Sequence, residues 1–334
     1  MQINQNKRKQ RLILLSFVAS IVLCFLKFSA YYLTDSNAIL SDALESIINV
    51  IASGFAFYSI RLSAQPKDDN HPYGHGKVEF FSAGFEGALI VIASFYIIYE
   101  AILRLITPEP MENLGYGAIL IVITIVANSG IGFLLVKEGK KSNSLALTAD
   151  GKHLLSDSIS SVVLILSVGL IILTGLEWID SIASLLFGLF LIYSGTKIVR
   201  QSVSLLMDAT DPQILNKIVD ILWTNRKPHW IDLHNLRVQQ YGADLHIDCH
   251  LTLPYYWQLA DVHGAVHAFE NILKANNSSE TEIFVHADPC LPECCSFCRI
   301  ANCPVRKFPF KEEIIWTADR IVKNEKLFNI AKKE

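Results

Sequence analysis

The sequence predicts an α-helical membrane protein of six spans followed by a small cytoplasmic α+β domain of order αββαβ, a ferredoxin-like arrangement. Three observations carry that reading. The chain of 334 residues is 51% hydrophobic and only 18% charged, with a mean hydropathy of +0.34, and its apolar residues crowd ahead of about residue 200. Six apolar runs there are each long enough to cross a hydrocarbon core of about 30 Å. Beyond Asp211-Pro212 the pattern changes to alternating strands and amphipathic helices.

The runs cover 12–33, 38–61, 80–105, 113–136, 145–174 and 177–199, after a polar, basic tail at 1–10. The first is too long for a removable signal peptide and lacks a small-residue cleavage site. Net charge, −3, says little, but the positions of the basic residues are informative. Lys7, Arg8, Lys9 and Arg11 precede the first run, Arg61, Lys67 and Lys77 flank the second loop, Lys137, Lys140 and Lys141 the fourth, and Lys197 and Arg200 follow the sixth. The loops of the other side carry no Lys or Arg, so the positive-inside bias puts both termini in the cytoplasm, and a bacterial inner membrane is expected. Membrane lipid is thus one partner; nucleic acid is not expected.

The membrane domain extends to residue 208 and the αββαβ domain over 209–290. Its elements are expected at Pro212–Trp223, Leu233–Gln240, Leu245–Leu253, Leu259–Ala275 and Glu282–His286. A Cys-rich and charged tail, 291–334, follows, with a helix expected over Lys311–Lys333. Six of the seven cysteines lie after residue 248, on the cytoplasmic side, where disulfides are not expected.

Polar residues inside the apolar runs are the sharpest functional signal, because an ionisable group at bilayer depth costs a few kcal/mol or more. His153 and Asp157, four apart, share one face of the fifth span. Asp42, Glu45 and Asn49 form a similar stripe on the second. A helical rise of about 1.5 Å per residue puts Asn49 level with His153 and Glu45 level with Asp157 near mid-membrane. An imidazole, two carboxylates and an amide oxygen form a four-coordinate set suited to Zn²⁺ or a similar first-row ion. Asp42, a turn above, caps, hydrogen-bonds, lines an access path or joins the ligands. The plainer alternative is a hydrogen-bond network that glues the helices together.

In the loop after the second span, Asp68, His71 and His75 can converge, a set that suits zinc or a solvated interfacial loop equally. In the C-terminal domain, strand alternation puts His246, Asp248 and His250 on one face. His286 and Asp288 close the last strand, His263 and His267 share a helix face, and His234 opens the first strand. Single surface histidines are the alternative for each, and for His229 and His267 the preferred one. Cys290, Cys294, Cys295, Cys298 and Cys303 have soft-metal spacing, against which stand reduced, idle thiols. A thioredoxin-like redox role lacks the strand-to-helix placement it needs.

At four segments the chain resembles the cation diffusion facilitator family of divalent-metal/proton antiporters. They are Ser36-Asn37-Ala38-Ile39-Leu40-Ser41-Asp42-Ala43-Leu44-Glu45-Ser46, Gln65-Pro66 leading into Asp68–Lys77, Ala149-Asp150-Gly151-Lys152-His153-Leu154-Leu155-Ser156-Asp157, and His286-Ala287-Asp288-Pro289-Cys290. The resemblance covers residues 11–290 and implies a homodimer that exports a divalent transition metal against protons. It implies a transport site at Glu45, Asn49, His153 and Asp157, and an interfacial site at Asp68, His71 and His75. It further implies a cytoplasmic dimer-bridging site at His234, His250, His263, His286 and Asp288, and a charge interlock between protomers through Lys77 and Asp208. Zn²⁺ is the leading substrate and structural or regulatory ligand, with Fe²⁺, Co²⁺, Cd²⁺ and Mn²⁺ behind it and protons as coupling ion. Two departures stand out: Glu45 and Asn49 replace the family's usual Asp or His and Asp, and the cysteines after 290 extend past the usual end of the domain. A metal-responsive sensor that signals through the Cys segment without transport is the competing reading. A membrane metalloenzyme is disfavoured, since the spans lack the His-rich clusters of di-iron oxidases.

Overall fold

The computed structural model describes residues 2–34, 37–107, 115–176, 178–276 and 280–331. Two compact units divide the chain, Met1–Met207 and Asp208–Glu334.

Six long helices build the first unit: α1 Gln2–Thr34, α2 Asn37–Ser63, α3 Val78–Ile106, α4 Gly115–Lys141, α5 Leu145–Thr174 and α6 Trp178–Leu206. Each contains a stretch apolar enough to cross a membrane, and the exposed surface of the bundle is rich in Leu, Ile, Val and Phe, as a lipid-facing surface must be. The main packing partners are α3 with α6, α4 with α5, and α1 with α2. Glycines set two of these crossings. A Cβ on Gly195 would stand 2.9 Å from the Gly87 carbonyl oxygen, and one on Gly151 would stand 2.8 Å from that of Gly132. Bare backbone is therefore what lets α3 meet α6 and α4 meet α5 at close range. The bundle also buries charge: Lys9 Nζ lies 3.7 Å from Glu79 Oε1, and Glu79 accepts further hydrogen bonds from the hydroxyls of Ser63 and Ser144.

The second unit begins with α7, Pro212–Thr224, capped by the Asp211 carboxylate on the Gln213 N–H. Strands β1 Asp232–Tyr241 and β2 Asp244–Leu253 form an antiparallel hairpin through Gly242, whose φ is +65. Helix α8, Leu259–Asn276, then crosses over to β3, Thr281–Pro289, parallel to β2. The sheet order is β1-β2-β3. Its core face carries Leu233, Leu236, Val238, Ile247 and Leu251, packed with Ile218 and Leu222 of α7 and Phe269 of α8. Five expected elements of this domain thus appear within a few residues of their expected ends.

The segment after residue 290 differs from expectation. It contains a short 3₁₀ turn, Pro292–Phe297, and two short helices, α9 Ala318–Ile321 and α10 Leu327–Ala331, where a continuous helix over Lys311–Lys333 was expected. Ile314, Trp316, Ile321 and Leu327 belong to the same core as the sheet, and their irregular spacing matches no single helix face. Arg226 pins the segment down. Its guanidinium donates to the carbonyls of Trp230 at 3.2 Å, Ile231 at 2.8 Å and Ile314 at 3.0 Å and lies 4.3 Å from the Trp316 ring centroid. Burial pulls it down to about 10, which leaves it cationic at neutral pH.

Candidate metal centres

The membrane centre joins α2 and α5. Asn49 Nδ2 donates to Asp157 Oδ2 at 2.9 Å, and His153 Nε2 lies 3.0 Å from Asn49 Oδ1. The amide nitrogen is turned to Asp157 and the amide oxygen to the imidazole, so one side chain links the two α5 residues. The second ring nitrogen, Nδ1, is buried without a hydrogen-bond partner. His153 Nε2 and Asp157 Oδ2 are 3.9 Å apart. One amide therefore stands between the imidazole and the carboxylate, rather than each α2 side chain meeting one α5 side chain at its own level. Glu45, a turn earlier on α2, is exposed, and among the described residues it does not gather with His153 and Asp157. The side chain of Asp42 lies outside the described residues.

The loop between α2 and α3 gathers its three residues. Asp68 Oδ1 accepts the backbone N–H groups of Asn70 at 3.0 Å and His71 at 2.7 Å. His71 Nδ1 stands 3.3 Å from the same oxygen, and His75 Nε2 stands 3.5 Å from Asp68 Oδ2. The backbone N–H of His71 holds the Asp68 carboxyl below its ordinary value. One ligand atom from each residue lies within 4.8 Å of the other two. Gly74, at φ +87, makes the turn that folds His75 back over Asp68.

On the open face of the C-terminal sheet, His234, His250 and His286 are cross-strand neighbours in one row, and Asp232, Thr252 and Asp288 form the next. Asp288 serves all three imidazoles: its Oδ2 lies 3.3 Å from His234 Nε2 and 3.4 Å from His250 Nδ1, and its Oδ1 lies 3.4 Å from His286 Nε2. A bulge between His234 and Arg237, with Asn235 at φ +52, sets the row. It lets Leu233 and Leu236 both face the core while His234 faces away. His246 belongs to the same face but pairs with Glu282 at 3.4 Å, and His263 lies on the exposed side of α8 beside His267.

Two residues of this centre escaped the sequence reading. Asp232 Oδ2 lies 2.9 Å from His234 Nδ1; the contact is electrostatic rather than an aligned hydrogen bond, since neither atom has a hydrogen-bond partner. Asp232 thus stands at the Nδ1 side of the ring while Asp288 stands at the Nε2 side, the place an outer carboxylate would take behind a histidine that bound a metal. Its position two before His234 on a strand was the available signal. Lys326 reaches in from the C-terminal segment, 3.7 Å from Asp288 Oδ2 and 3.1 Å from the Pro289 carbonyl, and no local pattern marks it.

All five expected cysteines, Cys290, Cys294, Cys295, Cys298 and Cys303, line a single cavity of about 210 Å³ together with Tyr255 and Tyr256. Burial pushes the Cys294 thiol up to about 12 and raises those of Cys290 and Cys298. Cys294 and Cys298 pack with Ile231 and Phe328 in a small apolar core. Among the described residues, no three of these sulfurs come within 4.8 Å of one another. Lys77 precedes α3, and Asp208, with a φ of +61, opens the second unit.

The cation efflux transmembrane domain matches residues 13–207 and the cation efflux protein cytoplasmic domain matches residues 210–290. The chain belongs to the cation diffusion facilitator family. This cation diffusion facilitator is 34% identical over 275 residues to an uncharacterized transporter of Synechocystis, covering 82% of the chain and 88% of that protein. It is 27% identical over 292 residues to the manganese efflux system protein MneP of Bacillus subtilis (85% and 97%), and 27% identical over 272 residues to the cation-efflux pump FieF of Escherichia coli (80% and 89%). Family membership makes the chain a multi-pass membrane transporter of divalent metal cations.

Proposed function

We propose that the chain exports a divalent transition-metal ion in exchange for protons. Zn²⁺ is the leading substrate, and Fe²⁺, Co²⁺, Cd²⁺ and Mn²⁺ compete for the same ligands. The observation that carries this is the joining of α2 to α5 by Asn49, which stands 2.9 Å from Asp157 Oδ2 and 3.0 Å from His153 Nε2. A cation needs an unprotonated imidazole nitrogen and an ionised carboxylate, so protons compete with it for both groups. Metal loading therefore favours proton release, and proton return expels the metal. Asp157 supplies the ionised carboxylate, Asn49 swings its oxygen from imidazole to metal, and Glu45 completes the ligands from α2. Asp42 is left as an access or capping residue.

In this reading the transporter is a homodimer in a bacterial inner membrane with both termini cytoplasmic, as the family's cytoplasmic domain and the basic loops support. Asp68, His71 and His75 form an interfacial metal site. His234, His250, His286 and Asp288, with His263 from α8, form the cytoplasmic one, where metal biases the dimer. Lys77 and Asp208 interlock the protomers. The Cys segment adds a soft-metal centre only if an ion draws its sulfurs together, and its raised thiols weigh against the sensor reading.

Everted membrane vesicles test the proposal. Wild type accumulates Zn²⁺ under an imposed pH gradient, and uptake collapses with a protonophore and in Asp157→Ala. Wild-type uptake by a variant lacking both His153 and Asp157 would sink the assigned site.

A further inference from the structure

The membrane domain holds a second acidic pair that the transport reading does not use. Glu86 of α3 and Asp150 of α5 are 0% and 1% exposed. Asp150 precedes His153 by about one turn of the same helix. Ser16 of α1 donates to Asp150 Oδ2 at 2.7 Å, so that carboxyl group has one donor. The Asp150 carboxyl is close enough to act directly on that of Glu86, and both Glu86 oxygens are buried without a hydrogen-bond partner.

Among the described residues, no cation acts on Glu86. Among the described residues, Asp150 is the one ionisable group that acts on it, whereas Asp150 also feels His153 and Asp157 along its own helix. On the α6 side the neighbouring Gly87 meets Gly195, Ile198 and Val199, which carry no charge. Two ionised carboxylates facing one another in such a place would repel with nothing to offset them. A single hydrogen between them converts the contact into a charge-assisted O–H···O⁻ bond, which satisfies an oxygen of Glu86 and halves the buried charge.

We propose that Glu86 and Asp150 form a buried proton-sharing dyad, a proton-binding centre of the membrane domain separate from the His153–Asn49–Asp157 site. The remaining negative charge sits a turn from His153, where it favours a cation at the neighbouring centre. The dyad deepens the antiport reading, but its existence does not require it, because the pair holds a proton whether or not metal moves. A hard divalent cation between the two carboxylates is the competing occupant, since it would be held by the same oxygens.

Infrared spectroscopy of the full-length protein in lipid nanodiscs at neutral pH, after removal of metal with EDTA, tests the dyad. Wild type shows a deuterium-sensitive C=O stretch of a protonated carboxyl group. Its intensity falls in Glu86→Gln and in Asp150→Asn and is kept in Asp157→Asn. Both substitutions are close to isosteric, and an amide at either position can donate to the remaining carboxylate; size-exclusion profiles verify folding. Absence of the band in wild type, or its survival in both variants, overturns the proposal. So does a band that appears only after EDTA and vanishes on adding Mg²⁺ or Mn²⁺. Vesicle transport is measured separately, so the dyad and the antiport reading can fail independently.

Discussion

Asn49→Asp changes the charge of the membrane centre while leaving its size almost unchanged. In the structure the Asn49 amide nitrogen stands 2.9 Å from Asp157 Oδ2. A carboxylate oxygen in that place meets a like charge at the same distance, and at an effective dielectric near 20 the repulsion is about 6 kcal/mol. Solvent reaching Asp157, whose side chain is 22% exposed, reduces this to a few kcal/mol. Even about 3 kcal/mol corresponds to roughly two pH units, which lifts one carboxyl of the variant pair from the ordinary range near 4 to about 6, so below about pH 6 the variant pair holds a proton that wild type lacks. Metal must expel that proton as well, and once it is gone the added carboxylate strengthens binding. The expected outcome is a plot of log affinity against pH whose slope, below about pH 6, rises by about one relative to wild type. The variant binds Zn²⁺ more tightly at alkaline pH and loses that advantage in acid. Competition titrations with a metal-binding dye between about pH 5 and pH 7 measure the slope, and calorimetry in buffers of different ionisation heat counts the protons. Parallel slopes for the two proteins would refute the idea that Asn49 and Asp157 belong to one proton-linked centre.

Three further outcomes follow from the C-terminal domain. Removing the Lys326 ammonium, 3.7 Å from Asp288, as Lys326→Met takes away a cation that competes with metal; affinity at the His234–His250–Asp288 cluster should rise by about tenfold in calorimetric titration, since about 1.4 kcal/mol is a reasonable screened Coulomb gain, and an unchanged or weaker affinity contradicts the placement. Arg226→Leu leaves the carbonyls of Trp230, Ile231 and Ile314 without their guanidinium donors and should cost about 3 kcal/mol or more in urea unfolding followed by tryptophan fluorescence; a loss under about 1 kcal/mol means the segment is held by other contacts. Burial pushes the Cys249 thiol from 9.0 up to about 12, so its proton is held in the folded chain and shed by the unfolded one. Stability from this group is complete below about pH 9 and drains away as pH climbs toward 12, by about 1.4 kcal/mol per pH unit. The advantage of wild type over Cys249→Ala should therefore shrink by about 1.4 kcal/mol between pH 8 and pH 10, and a constant difference refutes the burial argument.

The elements were legible where a local period decides them. Apolar runs of membrane length can hardly become anything but spans, and strand alternation at His246, Asp248 and His250 correctly separates this face from the one bearing Ile247, Cys249 and Leu251. The candidate sites were legible by residue type and spacing but not by partner. Helical rise alone pairs Asn49 with His153; the structure lets Asn49 reach Asp157 as well, because one amide has a donor end and an acceptor end. Arg226 and Ile314 are 88 positions apart, and no periodicity links them. The charged character of 311–333 suggested a solvated helix, whereas four apolar side chains scattered among the charges are what the domain core holds.

The C-terminal sheet divides its expected ligands in a way that bears on dimerisation. His234 and Asp288, with side chains 6% and 17% exposed, and His250 at 30%, form a cluster complete within one chain. His286 is 63% exposed, and His263 stands on the outer side of α8. A shared row of three imidazoles would not need such a gradient if all served a single ion within the protomer. The buried end suits an ion held by one chain, with the Asp232 carboxylate 2.9 Å behind His234 at Nδ1. The exposed end leaves His286, still 3.4 Å from the Asp288 oxygen that His234 and His250 do not use, open to a ligand atom from a second copy. Occupying the inner cluster would then fix the Asp288 carboxylate, and with it the donor that His286 presents to the partner, which gives cytoplasmic metal a direct physical route to tightening the proposed dimer.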